Sequence, residues 1–413
     1  MTLRKWLQIS FLNLLVVAAI GVVLRYKIAY SLSFIDQKHL LHGHSHFAFS
    51  GWVTQALMAL VVSRLSVYRG TDLFKRYNWL LYANVICAYG MLLSFPIQGY
   101  GLFSIFFSTS SLFVSYFFAA YIWTDINRTG QKKVIFAWFK AAAIFGALSS
   151  LGAFSLAFMM ATKTMHQNWY LAAVYFFLHF QYNGWFAFTI LGLLFEKLES
   201  NKTLTAALLN IFRLFAFACI PAYFLSALWM PIPRWAYAVV VAAAIAQVLA
   251  WAWAVTIIIP KRTFLKNQLS AFSYVVVSLS LFAFSIKVLL QLGSTIPSLS
   301  TLSFGFRPIV IGYLHLVLLG VTTLFILGYS MHVGAISVSP KNKAGIFIFI
   351  GGIILNEIAL MIQGISAMGY IAVPYINEAL LGIAFVMFSG LLIMNLPVKW
   401  FATKVHLVEL QQA

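Results

Sequence analysis

Twelve apolar runs, each long enough to cross a bilayer as a helix, follow one another from residue 6 to residue 396: 6–25, 42–63, 78–98, 101–123, 135–159, 169–194, 205–228, 235–258, 269–290, 308–329, 345–367 and 375–396. A helix rising 1.5 Å per residue needs about 20 apolar residues to span about 30 Å of hydrocarbon. Within hydrocarbon every backbone N–H and C=O must find a partner inside the segment or in a closed barrel. The runs lack the alternation of barrel strands, so helices remain. Composition agrees, with 62% hydrophobic and 8% charged residues, which excludes an ordinary soluble domain. The expected fold is an all-α polytopic membrane protein. It is a twelve-transmembrane-helix bundle forming a single integral membrane domain over 1–413, with membrane lipid as its main surroundings. Arg25 and Lys27 follow the first run where a signal peptide would have a small-residue cleavage site, so that run is expected to be retained.

The net charge is +19. In a soluble protein that would point to nucleic acid; here the basic residues fall in the loops, and the positive-inside rule accounts for them without any nucleic-acid partner. They concentrate at the termini and in the even-numbered loops, from Arg4, Lys5 and Arg64 through Arg69, Lys75, Lys132, Lys133, Lys261 and Arg262 to Lys399 and Lys404. The odd-numbered loops carry only Arg25, Lys27, Lys38, Lys163, Arg234 and Arg307. Both termini are therefore expected to be cytoplasmic, and the expected location is the bacterial cytoplasmic (inner) membrane. Cys87 and Cys219 both lie in apolar runs, where free cysteine is mostly a small core residue.

Three histidines stand in separate spans that run in the same direction. His46, His179 and His315 are expected about 6, 15 and 10 Å below one surface, at 1.5 Å per residue. A histidine in lipid is costly unless something binds it, and a metal or haem iron is a common partner. The second span opens with His39, His42, His44 and His46. At 100° per residue, His39, His42 and His46 share one face and His44 points away. Gly43 and Gly51 allow close approach of a flat macrocycle or of another helix. In the sixth span, His179 shares a turn with Gln181, Tyr182 and Asn183. That polar group must face the bundle interior, as a metal site or as a hydrogen-bonded packing contact. In the tenth span, Tyr313 and His315 interrupt an otherwise apolar turn.

At these residues the chain resembles subunit I of the haem–copper oxidase superfamily, which includes the nitric oxide reductases. The resemblance covers the twelve-helix plan and the histidines of the second, sixth and tenth helices. It implies a low-spin, bis-histidine haem held near the outer face by His315 and His46, or His44, and a copper or non-haem iron at His179. The stretch His179-Phe-Gln181-Tyr182-Asn183-Gly184-Trp185 looks like the sixth-helix motif of the reductase branch. The chain also departs from the family. The adjacent metal-binding histidines of the seventh helix are missing from Pro221-Ala-Tyr223-Phe-Leu-Ser-Ala-Leu-Trp229. Tyr313 stands where a histidine would hold a high-spin haem, although phenolate can ligate haem iron. Asn183 stands where the oxygen-reducing branch has a tyrosine. Two accounts follow: the low-spin haem alone, since six-coordinate iron needs only two imidazoles from facing helices, or a mononuclear site built from His179 with some of His42, His44 and His46.

The expected function is thus a membrane redox protein with a reduced cofactor set, engaged in electron transfer or in oxygen or nitric oxide reduction; no catalytic residue is assigned. No haem-attachment Cys-x-x-Cys-His occurs, so electrons would come from quinol or a separate cytochrome, with accessory subunits as further partners. Glu357, near the middle of the eleventh span beside Asn356, is a proton-pathway candidate with Tyr182, because an ionisable group at that depth is costly. Lys287 is expected to snorkel outward, and Glu378 to favour the start of the twelfth helix. The competing reading is a transporter or metal-ion permease with an outer histidine cluster. A sensor or assembly protein built on the same scaffold is a third.

Overall fold

The computed structural model describes residues 1–200 and 202–396, and only the backbone of 301–304. His406, Lys399 and Lys404 lie outside the described residues. The described residues form helices and no strand. The long helices follow the apolar runs: α1 (Leu3–Tyr30), α2 (Gln37–Arg69), α3 (Phe74–Gln98), α4 (Leu102–Asn127), α5 (Val134–Ala161), α6 (167–196), α7 (Lys202–Cys219), α8 (Arg234–Ile258), α9 (Ala271–Gly293), α10 (Arg307–His332), α11 (Pro340–Met368) and α12 (Ile376–Asn395). Among the described residues, 11 helices are long and apolar enough to cross a membrane. The expected twelfth is α6, whose length suffices but whose turn at His179, Gln181, Tyr182 and Asn183 is too polar for it to count with the others. The protein is a multi-pass helical membrane protein.

Local signals set several helix ends. The Asp36 carboxylate accepts a hydrogen bond of 2.7 Å from the His39 backbone N–H and so starts α2. That bond holds the Asp36 carboxyl below its ordinary range. Gly70, at φ 62°, ends the same helix in the left-handed region that glycine tolerates. Ser339 caps α11, with Pro340 in its first turn. Glu378 lies in the first turn of α12, as expected.

Most helices adjacent in sequence pack side by side, and α12 returns to pack on α1. The middle is filled by α2, α6 and α10. In the most apolar window, 72% of α2 is buried against 17% of α4. Residues 187–195 and 324–331 are buried on every side, the mark of helices surrounded by protein. The outer helices instead turn side chains such as Ile97, Leu102 and Phe217 outward, as a lipid-facing surface requires.

Lipid tails are as apolar as leucine, so hydrophobicity alone does not hold such helices together. Close packing and buried hydrogen bonds must. At the crossing of α11 and α12, a Cβ on Gly345 would stand 2.6 Å from the Gly390 carbonyl oxygen, and a Cβ on Gly390 equally close to that of Gly345. Gly345→Leu should force the helices apart and cost about 1–3 kcal/mol or more. Thermal unfolding in detergent checks this, and an unchanged midpoint would contradict the crossing.

Candidate functional site

Each of the three central helices changes pitch immediately after its histidine. π-Helical segments run Phe47–Thr54 after His46, Phe180–Phe186 after His179, and Leu316–Thr323 after His315. Such wide turns are rare and recur at functional sites. They break the i→i+4 ladder and leave carbonyls that need other donors in a water-poor interior. Buried side chains supply them. Asn13 Nδ2 donates to the Gly51 carbonyl at 2.6 Å, Asn84 Nδ2 to that of Ser50 at 3.0 Å, and Ser280 Oγ to that of Val321 at 2.6 Å. Thr322 and Thr323 donate back to Val317 and Leu318.

The wide turns are also tied to one another. Trp52 Nε1 donates to Thr323 Oγ1 at 3.1 Å, and Trp185 Nε1 to Thr54 Oγ1 at 3.4 Å; the Tyr182 and Tyr313 rings lie 6.2 Å apart. Each π segment holds a glycine five residues after its histidine: Gly51, Gly184 and Gly320. A Cβ there would press within 3.3 Å of Ala88, Phe145 and Ala283 respectively, so each glycine admits a neighbouring helix. Asn13→Leu would strip the Gly51 carbonyl and the Tyr89 hydroxyl, which donates to Asn13 Oδ1 at 2.9 Å, of their partners. The expected cost is about 1–3 kcal/mol for each buried group left unpaired. A thermal midpoint equal to that of the unmutated protein would rule this out.

The histidines at the start of α2 divide as the helical spacing predicts. His39 packs against Gly99. His42 lies 4.8 Å from the Tyr100 ring, and His46 stacks flat on Phe95 at 4.5 Å and 7°. His44 turns the other way, toward α1, where its Cε1 is 3.6 Å from the Cβ position of Gly21. His315 lies within electrostatic range of both His44 and Arg25. The structure thus sets His46 against α3 and turns His44 toward α1, within electrostatic range of His315. His44 Nδ1, His315 Nδ1 and His42 Nε2 are buried without a hydrogen-bond partner. Gly43 receives Pro96 of α3, and Gly51 receives Ala88 of the same helix, so both serve the approach of a helix.

His179 is fully buried and engaged on both sides. Its Nε2 is 2.8 Å from the Cys219 carbonyl oxygen and its Nδ1 is 3.1 Å from Asn183 Nδ2. A carbonyl only accepts, so Nε2 carries the hydrogen and Nδ1 accepts from the asparagine. Neither lone pair is left for an ion, and His42 packs elsewhere, against Phe95 and Tyr100. Among the described residues no three His, Cys, Asp or Glu side chains gather as a metal cage. His179 and His42, the residues expected to hold copper or non-haem iron, thus lie in separate packing environments, and the groups around His179 make a hydrogen-bonded contact between α6 and α7.

Tyr313 meets Tyr182, and Glu357 approaches α10 one residue earlier, its Oε2 3.9 Å from the Cβ position of Gly312. Glu357 is half-buried and accepts from Asn356 Nδ2 at 3.3 Å. The two proton-pathway candidates therefore both approach the turn before His315, Tyr182 at Tyr313 and Glu357 at Gly312. Lys287 corrects its expectation. It does not snorkel, being 4% exposed, and its Nζ sits 5.0 Å from the Phe284 ring centroid.

Charges expected in loops also turn inward. Arg64 of α2 pairs with Glu196 of α6, whose Oε1 accepts from Arg64 Nε at 3.0 Å, from Arg64 Nη2, and from Tyr68 Oη at 2.7 Å. Arg76 and Tyr77 of α3 both reach Asp125 of α4, at 2.8 and 2.7 Å. The recurring His-x-x-x-x-Gly at 46–51, 179–184 and 315–320 is the one signal from which the three matching turns could have been found.

No family model matches this sequence, and no curated protein matches it either.

Proposed function

We propose that the chain is a haem-binding membrane redox protein, similar in plan to subunit I of the haem–copper oxidases, with His44 and His315 as the two axial ligands of one low-spin haem. The observation that supports this best is that two histidines of α2 and α10, within electrostatic range of each other, each keep a buried Nδ1 that has no partner. Buried polar atoms without partners are rare, and each needs an explanation. When bound, haem iron supplies a one-electron couple tuned by its axial ligands and its burial.

The protein's own contribution is geometric. The Trp52–Thr323 hydrogen bond locks α2 to α10 just below the two histidines and so holds the spacing between the rings. Arg25 keeps a positive charge within electrostatic range of both rings. The reading includes twelve membrane crossings with both termini cytoplasmic, in a bacterial inner membrane, and a quinol or cytochrome as electron donor. It does not include oxygen or nitric oxide reduction at a two-metal centre, because His179 has no free lone pair and the seventh helix brings no histidine to it. Electron paramagnetic resonance of the oxidised, purified protein is the test. A low-spin ferric signal of the two-imidazole type is expected, and a purely high-spin signal would defeat the assignment.

A further inference from the structure

Beside His179, where α6, α7, α8 and α9 converge, a small cavity is lined by Asn183, Cys219, Gln247, Phe284 and Lys287 among others. A water-sized sphere has about 10 Å³ in which to place its centre, close to the minimum needed for one water molecule. The polar groups around it form an ordered chain. The Cys219 carbonyl fixes the hydrogen on His179 Nε2, and His179 Nδ1 then takes the Asn183 amide N–H. Asn183 must therefore point its Oδ1 away from the histidine, and that oxygen is buried with no partner. Gln247 Oε1 is buried and unpartnered too. Both side chains are at least nine-tenths buried, as is Lys287. Two orphan acceptors thus border a cavity whose only other strongly polar group is an amine.

Lys287 makes no ion pair with a carboxylate among the described residues. The titratable groups that act on it are His179 of α6 and Cys219 of α7; α8 contributes the uncharged Gln247. The His179 N–H is directed at the Cys219 carbonyl and one Asn183 N–H at His179, which leaves Asn183 Oδ1 and Gln247 Oε1 as the unpartnered acceptors among the lining residues. An ammonium can donate to both of these acceptors through one bridging water.

We propose that this cavity is an internal proton-binding site, in which the Lys287 ammonium and a single water molecule hold positive charge beside His179 in place of a metal ion. Asn183 and Gln247 accept the hydrogen bonds, and the Cys219–His179–Asn183 chain orients the acceptors. The ligand class is water and one proton; transition-metal cations are excluded by the ammonium and by the occupied imidazole. The inference does not depend on haem binding, and its test can fail or succeed independently of it.

The full chain, labelled with ¹⁵N-lysine and embedded in lipid nanodiscs at pH 6, is studied by solid-state NMR. The Lys287 resonance is identified as the one missing from both Lys287→Met and Lys287→Gln, so the misfolding of one variant does not prevent assignment. The expected result is an ammonium-type shift with magnetisation transfer from a water that exchanges at least about tenfold more slowly than water near loop lysines. An amine-type shift, or no contact with a slow water, overturns the proposal. In a second arm the protein is equilibrated with Cu²⁺ or Zn²⁺ and washed. Metal content unchanged by His179→Ala supports the proposal, and one bound ion per chain that disappears in that variant refutes it.

Discussion

Replacing either His44 or His315 with alanine should abolish the low-spin haem spectrum of the purified protein, while His42→Ala, His46→Ala and His406→Ala retain it. The contrast between His44 and His46 is the sharp part. The two lie two residues apart on α2, and a histidine cluster that merely marked a membrane surface would tolerate the loss of any one member. The structure separates them by face: His46 is stacked on Phe95 of α3, and His44 packs against Gly21 of α1, within electrostatic range of His315. Loss of groups that only support a metal ligand typically costs about 10–100-fold in affinity, so removal of a ligand itself should cost more. Absorbance per mole of protein, measured after equal purification, decides the matter. Equal loss in His46→Ala and His44→Ala would assign the ligand wrongly.

Arg64→Met should lower stability by about 1–3 kcal/mol, the cost of leaving a charged group unpaired, and less than for a fully buried pair because the Arg64 side chain is 19% exposed. Glu196 is the charge left behind. Its Oε1 accepts the hydrogen bonds from Arg64 and Tyr68, while its Oε2 is already buried without a partner. Removing both charges, in Arg64→Met with Glu196→Met, should recover much of the loss, because two apolar groups of similar size need no partners. Denaturant or thermal unfolding in a fixed detergent measures both variants. Should the double variant prove as unstable as Arg64→Met, the lost contribution would be packing and the ion pair would be incidental.

The helices were legible because each apolar run answers one demand, backbone pairing in hydrocarbon, and that demand depends on composition along the chain. The division of the α2 histidines was legible too, since 100° per residue alone sets His44 opposite His39, His42 and His46. The choice between His44 and His46 depended on the partner helix, and no periodicity within α2 reports where His315 stands. Lys287 and Arg64 depart from the sequence expectation for a related reason. A lysine near a helix end normally reaches water, and an arginine near a loop normally faces it. Only tertiary packing shows that Lys287 has Gln247 and Asn183 around it and that Arg64 has Glu196 opposite. The π turns combine both situations. Their glycines recur at a fixed interval after His46, His179 and His315, yet the donors that make the turns tolerable, Asn13, Asn84 and Ser280, come from other helices and carry no local mark.

The account stands on two imidazoles gripping one iron between α2 and α10. The most direct measurement is the reduced-minus-oxidised optical spectrum of the purified, unmutated protein, taken with its iron content. Sharp low-spin bands with one haem iron per chain are predicted; a colourless, iron-free protein that also fails to take up added haem would contradict it.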